Sequence, residues 1–342
     1  VGRKVSMIST INATIAGKSY DTGFHVTSPK ETDIQRFIKE AVKAGDEFIV
    51  LEVTSHALDQ FRTWGINFEV GVITNITHEH LDYHKTFESY LNAKAKLIQR
   101  SKVAVLPADD PNFAKLTEKA LGKVISFGLK NKADLTPKKI TLKLKILGDY
   151  NLLNALAAMV ACEALGIEVK KSAKILEAFK GLSGRMEEIP NNLGIKIIVD
   201  FAHTPNALEQ ALKTLRKESR GKLISVFGAA AERDIGKRPI MGRISAQLAD
   251  ITILTDEDPR FDESLKIIDE IASGAVNFGA KLNDTLFKSP DRKQAIKLAL
   301  SKARPGDTIG IFGKGHEKSM NYKGVEKPWS DQGAVLDSLK NG

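Results

Sequence analysis

Residues 196–218 read KIIVDFAHTPNALEQALKTLRKE. The stretch opens with a short, nearly continuous apolar and β-branched run, as a strand covered on both faces requires. It passes through a polar turn, FAHTPN, and continues with apolar residues at helical spacing. Strand, polar loop and helix in that order make the repeating unit of a parallel α/β sheet, in which ligands gather at the carboxyl ends of the strands.

The same pattern recurs on both sides of this stretch. Further strand candidates are EFIVLEV (47–53), VGVITNI (70–76), VAVLPA (103–108), LISVFG (223–228), DITILT (250–255) and DTIGIFG (307–313). Helical spacing marks ETDIQRFIKEAVKAG, TFESYLNAKAKLIQR and RPIMGRISAQLA between them. The polar, chemically capable residues stand just after the strands, in TSH, THEH, HTPN, AAAERD, DEDPR and KGHE. Five of the seven histidines (His56, His78, His80, His203 and His316) fall in these loops. The expected fold is α/β, with two mostly parallel three-layer domains. The loop-rich stretch LSGRMEEIPNNLG (182–194) separates them, giving residues 1–183 and 184–342.

A chain of 342 residues holds two cores of this size, and its 42% hydrophobic and 27% charged content is that of an ordinary globular protein. No apolar run reaches the ~20 residues of a membrane helix. The single cysteine, Cys162, excludes an intramolecular disulfide and fits a cytosolic setting. The net charge of +9 favours anionic ligands such as nucleotides, or serves solubility. No basic stretch interleaved with aromatics points to nucleic acid. The chain opens on Val1, which reads as a fragment of something longer.

Several residues invite chemistry. Glu52 closes the strand run 47–53, where a buried carboxylate needs a partner. Mg²⁺ would serve, and so would a helix cap or an ion pair. His78 and His80 form a His-x-His pair that suits a metal or a cap. Lys94 sits on an amphipathic helix, where a solvated role is the ordinary one. Gly17-Lys18-Ser19 looks like the end of a phosphate loop, but Asn12 stands where the first glycine belongs and no helix follows. It reads as a hairpin tip.

Taken in order, LEVTSHALDQFR, TNITHEHLDYH, YLNAKAKLI, GDYNLLNALAA, GRMEEI, VDFAHTPNALE, RDIGKRPIMG, DEDPR and GKGHE resemble the Mur ligases over nearly the whole chain. The resemblance implies a central ATPase-like domain lacking its phosphate loop, followed by a Rossmann-like C-terminal domain. It implies ATP and Mg²⁺ as cofactors. The implied partners are a UDP-MurNAc-dipeptide and a diamino acid, joined by an amide bond through an acyl phosphate. Glu52, His80 and a carbamylated Lys94 would hold Mg²⁺, and carbamylation implies a lowered lysine pKa. Thr27, Ser28, Thr54, Gln60 and Arg62 would face the UDP-muramoyl substrate. Asn151, Asn154, Arg185, Asp200 and His203 would contact the nucleotide. Arg233, Asp258, Arg260, Gly313 and Glu317 would hold the incoming amino acid.

Three departures stand against the family pattern. The phosphate loop is expected upstream of Val1, so this chain alone should bind ATP poorly. The segment GLKNKADLTPKKITLKLKILG is short for its place, and GAAAERD replaces a glycine-rich loop. Asp258 also stands where the diaminopimelate pattern Asp-Asn-Pro-Arg has asparagine, which leaves L-lysine open beside diaminopimelate. A ligand-binding protein without ATPase function and a cyanophycin or folylpolyglutamate synthetase are the competing expectations.

Overall fold

The computed structural model describes residues 2–20, 28–77, 80–232 and 234–340. The chain divides into two compact units, Val1–Leu144 with Asn151–Phe179, and Lys145–Tyr150 with Lys180–Gly342.

In the first unit the chain runs β1 (Val5–Ile8), β2 (Ala13–Ile15), β3 (Lys18–Tyr20), α1 (Glu31–Lys43), β4 (Phe48–Leu51), α2 (Ser55–Asp59) and β5 (Phe68–Val72). It continues α3 (Leu81–His84), α4 (Phe87–Gln99), β6 (Ser101–Pro107), α5 (Phe113–Lys119), β7 (Lys123–Phe127), α6 (Asp149–Ala164) and α7 (Val169–Ala178). Two sheets form among the described residues, a mixed one ordered β3-β2-β1-β4 and a parallel one ordered β5-β6-β7. Side chains alternate across β6. Ala104 and Leu106 join the cluster of Tyr90, Leu91 and Ile98, while Val105 joins that of Leu156, Met159 and Val160. The parallel sheet is therefore covered on both faces. Gly17-Lys18-Ser19 lies at a hairpin, as its sequence suggested: Ala16 and Gly17 turn with φ of 52° and 77°, and Lys18 begins β3.

The second unit holds β8 (Glu187–Glu188), β9 (Lys196–Asp200), α8 (Pro205–Glu218), β10 (Leu223–Phe227), α9 (Lys237–Leu248), β11 (Ile251–Leu254) and α10 (Ser264–Asn277). Then follow β12 (Leu286–Lys288), α11 (Arg292–Lys302), β13 (Thr308–Phe312), β14 (Ser319–Tyr322), β15 (Val325–Pro328) and α12 (Asp331–Lys340). Six strands order as β12-β11-β10-β13-β9-β8, all parallel except β8, which pairs antiparallel at the edge. Residues 182–194, read as loop, thus contain a two-residue strand, because Glu187 and Glu188 find β9 backbone to pair with. The stretch quoted first folds as expected. Thr204 caps α8 by accepting the Ala207 N–H, Pro205 occupies the first turn, and Leu208, Ala211, Leu212 and Leu215 bury one stripe. Burying a leucine there stabilises by about 1.5–3 kcal/mol, so the stripe outweighs the helix's modest propensity. Leu223 and Phe227 of β10 face that side, and Ile224 and Val226 face the cluster of Ile296 and Ala299.

Candidate functional site

In the first unit, β4 and β5 each end their sheet, and neither is paired on its outer edge among the described strands. Both line one cleft of about 750 Å³ along their whole length. Its walls are mostly apolar, with Ile49, Leu51, Val70, Val72, Leu97 and Leu165 among them. Glu52, Thr54, His80 and Lys94, which follow those strands or sit on α4, line the same cleft. Residues 52 and 94 are far apart in sequence, and the fold brings them to one cavity.

The details correct one expectation. Glu52 does not end a buried strand; β4 stops at Leu51 and the Glu52 side chain is exposed. An unpaired edge facing a cleft leaves it wet. Its Oε2 accepts the Thr10 N–H at 2.7 Å and the Thr10 hydroxyl at 2.9 Å. His80 begins α3 with φ of 56°, a left-handed turn uncommon for a residue with a Cβ. Its ring meets His56 edge-on at 4.8 Å, and His56 lies 4.2 Å from Tyr83 and 5.5 Å from His84. His84 is buried and bonds the Ser55 hydroxyl at 3.0 Å. Lys94 Nζ lies over the Tyr90 ring and donates to the Asn75 carbonyl at 3.5 Å.

Four of the residues expected at the UDP-muramoyl substrate form one network. The Ser28 hydroxyl donates to the Glu52 carbonyl and accepts the Thr54 N–H, both at 3.1 Å. Arg62 donates to the Ser28 carbonyl at 2.8 Å and grips Gln60 Oε1 through Nε and Nη2 at 3.0 and 2.7 Å. Thr54 caps α2 by accepting the Ala57 N–H. Thr27 and His78 lie outside the described residues.

A hard cation needs only one or two protein carboxylates when phosphate oxygens and water complete its shell. Among the described residues no three acidic, imidazole or thiol groups converge on one point. Glu52 and His80, with Lys94 in the same lining, are donors of a kind that a Mg²⁺ sharing phosphate oxygens would accept.

In the second unit most of the described candidate residues stand at or just after the carboxyl ends of β9, β11 and β13, and Arg185 precedes β8. Asp200 closes β9 almost fully buried, and its two oxygens accept the Met186 and Ala202 N–H groups, each at 2.8 Å. Burial pushes its carboxyl above the usual range against these donors. The Arg185 guanidinium lies 4.5 Å over the Phe201 ring, which also touches His203 at 4.6 Å and His316 at 4.8 Å. Arg185, Asp200 and His203 are thus neighbours. Phe201 and His316, which the sequence reading did not assign a role, hold them together. Asn151 and Asn154 lie one turn apart on α6 in the first unit.

The residues expected at the amino acid are tied to one another. The fully buried Lys314 bonds both oxygens of Asp258 at 2.9 Å and pairs with Glu317 at 2.5 Å. Burial opposes its charge, but Glu317 and Asp258 outweigh that and hold its pKa above the usual range. Arg260 pairs with Glu232 at 3.0 Å. Gly313 has φ of 108°, and a Cβ there would stand 2.2 Å from Glu257 Oε2, so only glycine fits. Gly184 is equally constrained, since its Cβ would meet the His316 nitrogen at 2.0 Å. Glu257 itself is buried with Oε2 unpartnered, and burial pushes its carboxyl up to about 8 despite Lys237, Arg292 and Lys314 nearby. Behind these loops Arg292 forms a completely buried pair with Asp331 at 2.7 and 2.8 Å. The sequence reading gave Lys314, Glu257 and Arg292 no role; Lys314 and Glu257 stand inside the quoted GKGHE and DEDPR, and Arg292 opens α11, where a charged residue is ordinary. Arg233 lies outside the described residues.

Comparison with known proteins meets this arrangement from another direction. Residues 2–162 match the Mur ligase middle domain, and residues 184–315 match the Mur ligase glutamate ligase domain. A UDP-N-acetylmuramoyl-L-alanyl-D-glutamate–2,6-diaminopimelate ligase of Clostridium botulinum is 36% identical, over 99% of this chain and 73% of its own length. A UDP-N-acetylmuramyl-tripeptide synthetase of Roseiflexus is 33% identical, again over 99% and 73%. A solved UDP-N-acetylmuramoyl-L-alanyl-D-glutamate–2,6-diaminopimelate ligase superposes with a TM-score of 0.62 at 29% identity, covering 99% of this chain and 73% of that one. With two parallel-sheet units, polar loops at their strand ends and both domain descriptions matched, the chain belongs to the Mur ligase family, whose members are ATP-dependent amide ligases.

Proposed function

We propose that this chain carries the ATP-dependent ligase activity that joins 2,6-diaminopimelate to UDP-N-acetylmuramoyl-L-alanyl-D-glutamate in peptidoglycan synthesis. The observation that carries the reading is the gathering of Glu52, Thr54, His80 and Lys94 on one cleft at the ends of β4 and β5. The names of the relatives supply the substrates. Residues 1–183 would be the central domain and 184–342 the amino-acid-binding domain.

In this reading the substrate carboxylate takes the γ-phosphoryl group of ATP, and the amine of the incoming amino acid then displaces phosphate. The protein's task is to place the reactants and to spread the developing charge. Glu52 and His80, with Lys94 as its carbamate, would hold Mg²⁺, which supplies charge neutralisation when bound. Arg62 offers a planar cation for phosphate or carboxylate oxygens, held in place by Gln60. Asn151, Asn154, Arg185, Asp200 and His203 would border the nucleotide. Asp258, Arg260, Gly313, Glu317 and Arg233 would border the amino acid, and Thr27 would join Ser28 and Thr54 at the muramoyl peptide.

The test is ADP release by the full-length gene product, measured with the muramoyl dipeptide and diaminopimelate each present or omitted, with L-lysine as a parallel amino acid. Turnover should require both substrates and should favour diaminopimelate. Equal ATP turnover without the dipeptide would overturn the reading.

A further inference from the structure

Three charged residues expected at the amino acid come from two separate loops, Asp258 and Arg260 after β11 and Glu317 after β13. Asp258 and Arg260 both have φ of 48°, with Pro259 between them. Two left-handed residues that are not glycine cost of order 1–3 kcal/mol each and persist only where neighbours impose them. The neighbours are identifiable. The β14–β15 hairpin brackets Arg260: its N–H donates to the Asn321 carbonyl at 3.0 Å, and the Lys323 N–H donates to the Arg260 carbonyl at 2.7 Å. The Asn321 N–H also donates to Asp258 Oδ1 at 2.8 Å. Asn321 is fixed in turn, its side-chain amide donating to Glu326 Oε1 at 2.7 Å. From below, the buried Lys314 holds both oxygens of Asp258 and reaches Glu317.

We propose that Lys314 and the β14–β15 hairpin form a clamp that sets the Asp258-Pro259-Arg260 turn for an amino acid bearing a second ammonium group. Lys314 is a positioning residue in this scheme, and the proposal rests on the reading that Asp258, Arg260 and Glu317 border the incoming amino acid. The ligand class follows from that reading, and the described contacts agree with it: Arg260 is paired with Glu232, and Lys314 with both Asp258 and Glu317. The clamp also accounts for aspartate at position 258 where the diaminopimelate pattern has asparagine: Lys314 neutralises it in place.

The test combines amide hydrogen exchange with steady-state kinetics on Lys314→Met, Asp258→Asn and the double variant. In Lys314→Met the Asn321 and Lys323 amides should exchange about tenfold faster or more while β10 and β13 keep their rates. The KM for diaminopimelate should rise about tenfold or more, and the KM values for ATP and the muramoyl dipeptide should stay within about twofold. Adding Asp258→Asn removes one of the two stranded carboxylates, keeps an acceptor for Asn321, and should recover part of both losses. Unchanged exchange at Asn321 and Lys323, an equal rise in all three KM values, or no recovery in the double variant would overturn the clamp. Should Lys314→Met not fold, Asp258→Asn alone should speed exchange at Asn321 by about two- to fivefold, and no change would overturn it. If the unaltered protein shows no turnover that depends on a diamino acid, the functional reading fails, and the exchange rates still decide the clamp.

Discussion

The two units handle charge in opposite ways. In the first, the candidate groups stand at the rim of an open cleft, and the exposed Glu52 carboxylate accepts from Thr10. In the second, Asp258, Lys314, Arg292 and Asp331 are buried and paired with each other. An open rim suits groups that must take new ligands during a reaction, since little has to be broken first. A buried, fully bonded set suits recognition, where the geometry must exist before the ligand arrives. The contrast predicts that substitutions in the first unit change catalysis with little loss of stability, whereas those among the buried pairs of the second also cost stability.

The largest effect should come from Lys94→Ala. Turnover should fall by about a thousandfold or more, while the urea midpoint stays within the range of a surface substitution. Small carboxylic acids added to the assay should restore part of the rate if a carbamate is the working group. Wild-type turnover in this variant would break the comparison at its first limb. Next, Arg292→Met strands Asp331 in the interior and should cost about 3–5 kcal/mol in urea unfolding. A loss below about 1 kcal/mol would show that the buried set is not what holds the second unit.

A pH effect follows in size. Glu257 keeps its proton up to about 8 in the folded protein, against an ordinary value of 4.5. Between those values the unfolded chain has released a proton that the folded chain retains. Stability should therefore fall as pH rises from about 4.5 to 8 and level off above, a loss of at most about 4–5 kcal/mol. Glu257→Gln should flatten this limb in unfolding measured from pH 5 to 9; an unchanged slope would assign it to other groups. The smallest effect should be Lys102→Ala. Its pair with Glu69 lies on the surface with both side chains more than 60% exposed, and unfolding should change by less than about 0.5 kcal/mol.

Much of the second unit was readable because buried parallel strands are apolar throughout. The runs around β9, β10, β11 and β13 announced themselves, and the loops after them followed. The β14–β15 hairpin did not, since SMNY and VEKP carry too few apolar residues to stand out. β7 and β12 were passed over because they are short and flanked by lysines. In the first unit the sequence placed β4 and β5 but could not show that they remain unpaired with one another, because pairing is a property of distant segments. For the same reason Glu52 was expected inside and lies outside. Lys314 stood within a recognised motif, yet its burial between two carboxylates depends on where β11 and β13 end relative to each other.

The bare flanks of β4 and β5 carry one more consequence. An unpaired strand margin is a template for any extended peptide, and among the described strands two such margins, those of β4 and β5, border the same apolar trench. At high concentration this region should be the first to recruit neighbouring chains, so colloidal behaviour and chemistry would originate at the same edge of the molecule.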